Sequence, residues 1–209
     1  MVTLRLSLGL DLARVRDWTA LACVEPWRDR LALTHLRRWK PERDDCVDAL
    51  GEVIPLASRI ADVARPLLVI DAQGIGRTVA RAAVLGGTGR VCDVLPILPT
   101  FSPRPDRQRE DGLIYVTKDR LVEALFSAMA TGRLVLARGL DEAAVLRGEV
   151  LRLERVRTRG DIGWTYSHPD QAAGSHDDLL MATAYALWGA ENGWRYRPVT
   201  EVRWRRSAA

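Results

Sequence analysis

Four apolar residues in a row closed by an acid, Leu67-Leu68-Val69-Ile70-Asp71, constrain this chain more than any other segment. Strand side chains alternate between two faces, so an unbroken apolar run is either a strand covered on both faces or a very short helix. A covered strand needs helices on both sides of its sheet, which points to an α/β class. Upstream, Leu4, Leu6, Leu8 and Leu10 fall on alternate positions of a second strand, and Asp11 falls on the opposite face. Downstream, Ser175-His176-Asp177-Asp178-Leu179-Leu180-Met181-Ala182 opens an apolar helix with two acids in front. Carboxylates at the ends of buried elements are costly to keep ionised unless a divalent cation or a cationic partner stabilises them.

Stretches 3–11, 17–25 and roughly 31–39 read as consecutive strands of an antiparallel meander, with turns around Arg14-Val15-Arg16 and Pro26 to Arg30. Residues 45–64 carry Val47, Leu50, Ile54, Ala57 and Ile60 at helical spacing, and Pro55 is expected to kink or divide that helix. The run 67–71, a helix over 75–85 stopped by Gly86-Gly87 and a strand over 91–98 form a parallel crossover. Residues 99–116 hold Pro99, Pro103 and Pro105 among many charges and are expected to be an exposed, mobile loop. Thr117 is placed as the N-cap of a helix running through Leu121, Leu125 and Met129 to Gly132, followed by a strand at 133–137 and a helix start near Asp141. A hairpin with arms 149–158 and 161–168 turns at Arg159-Gly160-Asp161, and a helix over 176–190 closes the core. Three antiparallel strands followed by alternating helices and parallel strands give a mixed sheet with helices on both faces, the ribonuclease H-like pattern.

With 209 residues, 47% of them apolar, one core suffices: a domain over 1–194 and a basic tail over 195–209. Cys23, Cys46 and Cys92 are an odd set without metal-ligand spacing, which speaks against a disulfide framework or structural zinc. Neither a secretory leader nor a long apolar run is present, so the expected location is the cytoplasm, with no membrane partner. The net charge is only +4, but arginines concentrate in 104–109, 147–159 and 195–206. Arg104, Arg107, Arg109 and Lys118, together with Arg152, Arg155, Arg157 and Arg159, can neutralise the phosphates of a polyanionic partner; a solvated arginine-rich surface is the alternative. Trp194 and Trp204, interleaved with arginines, either stack on bases or cover the domain's own edge.

In a sheet of this kind the first strand and the strand after the first helix can lie side by side, bringing Asp11 and Asp71 within reach of one ion, while the last helix delivers a third acid. Two ions in such a site would serve phosphodiester hydrolysis, and hard oxygen ligands select magnesium or manganese. The segments Gly9-Leu10-Asp11-Leu12-Ala13, with Asp17-Trp18-Thr19-Ala20 just after, Ile70-Asp71-Ala72-Gln73-Gly74-Ile75-Gly76 and His176-Asp177-Asp178-Leu179-Leu180-Met181-Ala182-Thr183-Ala184 together resemble the nuclease domain of the large subunit of tailed-phage terminases. The resemblance covers essentially the whole chain. It implies that Asp11, Asp71 and Asp178 are the metal ligands, with Asp177 or His176 assisting, and that the substrate is double-stranded DNA during viral genome packaging. No GxxxxGK(S/T) phosphate loop occurs, so the packaging ATPase of that family is missing from this sequence. An excised domain, a split terminase or a prophage relic would each fit, acting in a host cytoplasm if phage-encoded, with a separate ATPase, a small terminase subunit or a portal as partner.

Other readings stay open for each piece. Asp11 could start a turn. Asp71 with Gly74 and Gly76 could begin a nucleotide-binding turn, although Val79 stands where GxGxxG has its third glycine. Ser175 and Asp178 have capping-box spacing, so Asp178 could serve only its helix. The competing functions are a noncatalytic DNA-binding or packaging-assembly module of the same fold and, less economically, an actin-like or sugar-kinase ATP-binding domain.

Overall fold

The structure, a computed structural model, describes residues 5–12, 18–40, 45–59, 65–101, 106–157, 164–167 and 177–199. Strands β1 (Ser7–Asp11), β2 (Thr19–Trp27) and β3 (Arg30–Trp39) form the antiparallel meander. Strand β4 (Leu67–Asp71) lies parallel beside β1, and β5 (Asp93–Thr100) parallel beside β4. With β6 (Arg107–Gln108), β7 (Ile114–Thr117) and β8 (Leu134–Leu136) they make an eight-stranded mixed sheet in the order β6-β7-β5-β4-β1-β2-β3-β8. This is the ribonuclease H-like architecture expected from the sequence. A separate hairpin pairs β9 (Glu154–Arg157) with β10 (Trp164–Ser167).

Helices α1 (Asp45–Ser58), α2 (Gly76–Leu85) and the single turn α3 (Thr88–Val91) cover one face; α4 (Lys118–Ala130), α5 (Ala143–Arg152) and α6 (Asp178–Asn192) cover the other. Strand alternation assigns the residues to these faces. Leu8, Leu10, Leu68 and Ile70 enter the core with α1 and α2, whereas Leu67 and Val69 enter the core with α6. Ser7, Gly9 and Asp11 therefore share the α6 face, and so does Asp71. α6 lies close against it: a Cβ on Gly9 would run into the Ala182 carbonyl and the Ala186 amide, and one on Gly189 would meet Ser7 and Val69. Residues 179–190 are buried without exception, because this helix is covered all round by sheet and neighbouring helices.

Three local expectations are corrected. The stretch 99–116 is not one exposed loop: β7 is a buried parallel strand beside β5, with Ile114 and Val116 inside the core, and β6 pairs with it on the outer side. Its apolar Leu113-Ile114-Tyr115-Val116 outweighs the prolines and charges before it. Residues 149–152, expected in a hairpin arm, complete α5; the hairpin starts at Glu154, and its turn at Arg159 lies outside the described residues. α1 is not divided at Pro55 but continues to Ser58; the carbonyl left without an amide belongs to exposed Gly51 and can take water instead. Thr117 does occupy the N-cap position of α4, though its side chain makes no capping bond to the helix. Among the described residues, no helix is long and apolar enough to cross a membrane.

Candidate active site

Asp11 and Asp71 are the last residues of two neighbouring parallel strands, in a register that pairs Leu10 with Ile70. The carboxyl ends of such strands are where open α/β sheets place their ligands. After Asp71 the chain turns sharply: Gly74 takes φ 55°, and Gly76 starts α2 so close to the Asp71 carbonyl that a Cβ would not fit. Val79 packs into the core on this helix, leaving no glycine-lined cradle at that position. The turn serves the aspartate. The Gln73 amide donates to Asp71 Oδ1 at 2.8 Å, and Gln73 Nε2 is anchored on the Pro99 carbonyl at 2.9 Å.

The third acid comes from α6. Asp178 is the first residue of the helix and is 5% exposed; the Trp18 amide donates to its Oδ2 at 3.1 Å. A capping-box acid stands at the third helical position, so Asp178 does not fill that role, and Ser175 lies outside the described residues. Asp177 is at the N-cap position but makes no capping bond; its Oδ2 accepts from Lys118 Nζ at 2.7 Å. Tyr185, two turns into α6 and fully buried, points its hydroxyl at Asp71 Oδ2 across 3.5 Å.

Electrostatics ties these groups together. Burial pushes the Asp11 carboxyl well above the usual carboxylate range, the charges of Asp71, Asp178 and Asp177 push it further, and Lys118 only partly opposes them. Burial, with Asp71 and Asp11 beside it, likewise keeps the Tyr185 phenol protonated far above its ordinary range. Asp71, Asp178, Asp177 and Lys118 thus all act electrostatically on Asp11. Among the described residues no three His, Cys, Asp or Glu side chains are drawn together as a ready-made metal cluster. The donor set of Asp11, Asp71 and Asp178 is nonetheless made of hard oxygens, which fits magnesium or manganese.

Of the remaining residues proposed from sequence, Arg107 and Arg109 are exposed on β6 and at its end, beside the Tyr115 ring. Arg152 is exposed at the end of α5, and Arg155 and Arg157 lie 5.9 and 5.3 Å from the Trp164 ring on the hairpin. The hairpin reaches α4 through an edge contact of Tyr166 on Phe126. Arg104, Arg159, His176 and Trp204 lie outside the described residues. Trp194 is 53% exposed, with Arg195 over its ring, and residues 195–199 run back along the sheet, where the Val199 amide donates to the Val94 carbonyl. Sequence reasoning missed Trp18, Gln73, Tyr185 and Glu149 as supports. Glu149 would have stood out, as an acid three residues after Leu146 on the inward side of a helix, only had 149–152 been read as helical.

The fold is ribonuclease H-like, and solved structures that share it are terminase nucleases. The large terminase nuclease of thermophilic phage G20c matches 88% of this chain and 81% of its own, with a TM-score of 0.57 at 17% identity. The human cytomegalovirus terminase nuclease domain, manganese-soaked with an inhibitor bound, matches 94% of this chain and 89% of its own, with a TM-score of 0.62 at 14% identity. The large terminase of another thermophilic bacteriophage, in complex with ATP-gamma-S, matches 90% of this chain, which spans 40% of that protein (TM-score 0.55, 8% identity). At such identities the likeness establishes the fold. No protein-family model and no curated protein matches the chain.

Proposed function

We propose that this chain is a metal-dependent endonuclease that hydrolyses double-stranded DNA, with Asp11, Asp71 and Asp178 holding two magnesium or manganese ions. The observation that carries the reading is geometric: Asp11 and Asp71 end neighbouring parallel strands on the face that α6 covers, where burial and the neighbouring acids raise the Asp11 carboxyl and a bound cation would relieve the repulsion. The magnesium-bound G20c nuclease and the manganese-soaked cytomegalovirus domain support the choice of ion. Bound there, two divalent ions would supply the activation of a water and the stabilisation of the leaving oxygen of a phosphodiester.

The chain's own residues prepare that chemistry. Asp11 and Asp71 are fixed by sheet register, and Asp178 by the docking of α6. The Gln73 amide and the Tyr185 hydroxyl orient Asp71 from both of its oxygens. Lys118 holds Asp177 and can exchange it for a phosphate oxygen of the DNA, so Asp177 assists rather than ligates. His176 is assigned a further assisting role from its place beside Asp177. We take 1–194 as the nuclease unit and 195–209 as a basic extension, working in the cytoplasm with a separate packaging ATPase, small subunit or portal.

The test is incubation of supercoiled plasmid with Mg2+ or Mn2+, with nicking and linearisation expected and chelator abolishing both. Undiminished cleavage in excess chelator overturns the mechanism. DNA binding without cleavage favours the noncatalytic module of the same fold.

Phosphate contact is assigned to Lys118, to Arg104, Arg107 and Arg109, and to Arg152, Arg155, Arg157 and Arg159. Neutralising a side chain that truly touches phosphate should lower the slope of log affinity against log salt by about one unit. Binding titrations of Arg107→Ala, Lys118→Ala and Arg157→Ala at several salt concentrations check this. Unchanged slopes in all three would move the DNA to the Arg203 to Arg206 segment.

A further inference from the structure

Glu149 is a buried acid that none of the roles above uses. It lies on α5 and is 2% exposed. Its Oε2 accepts from the Leu180 amide at 2.7 Å, while its Oε1 has no hydrogen-bond partner among the described residues. Leu180 is the third residue of α6, so its amide is one of the donors that a helix leaves unpaired at its start. The helix's own N-cap residue, Asp177, gives its carboxylate to Lys118. The first turn of α6 is therefore held from another helix, by a side chain 31 residues earlier in the chain. Burial, reinforced by Asp178 and Asp177, pushes the Glu149 carboxyl up to about 8, against the pull of the Leu180 amide and Arg38. At neutral pH the side chain thus supplies an acceptor without adding another charge to an already acidic face.

We propose that Glu149 is a positioning residue: through the Leu180 amide it fixes the first turn of α6, and with it the aim of Asp178 toward Asp11 and Asp71. This role rests on the metal-dependent reading of the site. An outer partner of this kind changes metal affinity as well as stability, because a ligand free to swing pays its ordering cost on binding.

Glu149→Gln keeps a neutral acceptor for the Leu180 amide, whereas Glu149→Leu keeps most of the volume and removes the acceptor. Three quantities are measured on each: the affinity for Mn2+ by calorimetric titration, the melting temperature without metal, and plasmid cleavage. E149L is expected to lose roughly 10- to 100-fold in Mn2+ affinity and in cleavage. E149Q should stay close to wild type in both. E149M takes the place of E149L if the leucine variant fails to fold. A lower melting temperature for E149L with wild-type Mn2+ affinity makes Glu149 a folding cap only and overturns the proposal, as does equal loss in E149Q and E149L. If the unaltered protein binds no Mn2+, the metal reading itself falls and this role with it; wild-type binding with an unaffected E149L removes the positioning role alone.

Discussion

Asp11→Asn, Asp71→Asn and Asp178→Asn are each expected to lower plasmid cleavage by at least about 100-fold while leaving the fold intact. Loss of an outer partner already costs roughly 10- to 100-fold, and these side chains are proposed to touch the ions themselves. The amide preserves shape and removes charge. For Asp11 the same substitution has a second, opposite effect on stability without metal. Its carboxyl is raised in the folded protein, so between its unfolded value of about 3.9 and that raised value the folded state binds more protons. Stability of the metal-free protein therefore falls as pH rises through this window, and Asp11→Asn escapes that fall. At neutral pH the variant should melt higher than wild type, by roughly 2–4 °C for each kcal/mol of repulsion removed, and the difference should vanish below about pH 4. Adding Mn2+ should reverse the order, since only the wild type gains from it. Thermal melts at several pH values, with and without Mn2+, check this. Wild-type cleavage in Asp178→Asn together with loss in Asp177→Asn would reassign the third ligand to Asp177.

Gly9→Ala is expected to destabilise the domain by about 3 kcal/mol, the upper end for overpacking, which corresponds to a drop of roughly 6–12 °C in melting temperature. The added methyl meets backbone atoms of Ala182 and Ala186, with the Tyr185 Cβ at 3.0 Å, and backbone cannot swing aside as a flexible side chain can. α6 must retreat from β1 as a body, taking Asp178 away from Asp11. Gly51→Ala is the matching control. Gly51 lies in α1 with nothing within 4 Å of the place its methyl would occupy, so the substitution should stabilise by about 0.5–1 kcal/mol. Thermal melts of the two variants should move in opposite directions; parallel shifts would refute the close approach of α6 to Gly9.

The elements whose apolar pattern has one reading were legible in the sequence. Leu67 to Ile70 left only a covered strand or a very short helix, and the alternate leucines of β1 placed Asp11 on the face opposite them, which is the face α6 occupies. What escaped was decided by contacts far apart in sequence. Residues 149–152 carry Val150 and Leu151 among charges and fit a strand or a helix about equally, so the choice fell to α5 packing beside α6. With that segment read as a strand, Glu149 had no reason to meet Leu180. Ile114 to Thr117 is only four residues long and follows a proline- and charge-rich stretch, and its pairing with β5 supplies the stability that its own sequence does not advertise. Tyr185 looked like one more core residue, because nothing local reveals that its hydroxyl lies beneath Asp71.

The acids that meet at this site are spread across the chain: two end strands near its beginning and middle, and two stand at the entrance of the last long helix. A ribosome releases them in that order. While the final segment is still being made, the sheet can already hold Asp11 and Asp71, but the face above them is open and lacks Asp177 and Asp178. The proposed cutting activity would therefore arrive late in synthesis, with the seating of α6 over Gly9, rather than growing with chain length. A nascent or carboxyl-truncated copy carries Arg107 and Arg109 without the completed acid face, and under the proposed assignment it would hold DNA before it could cut it.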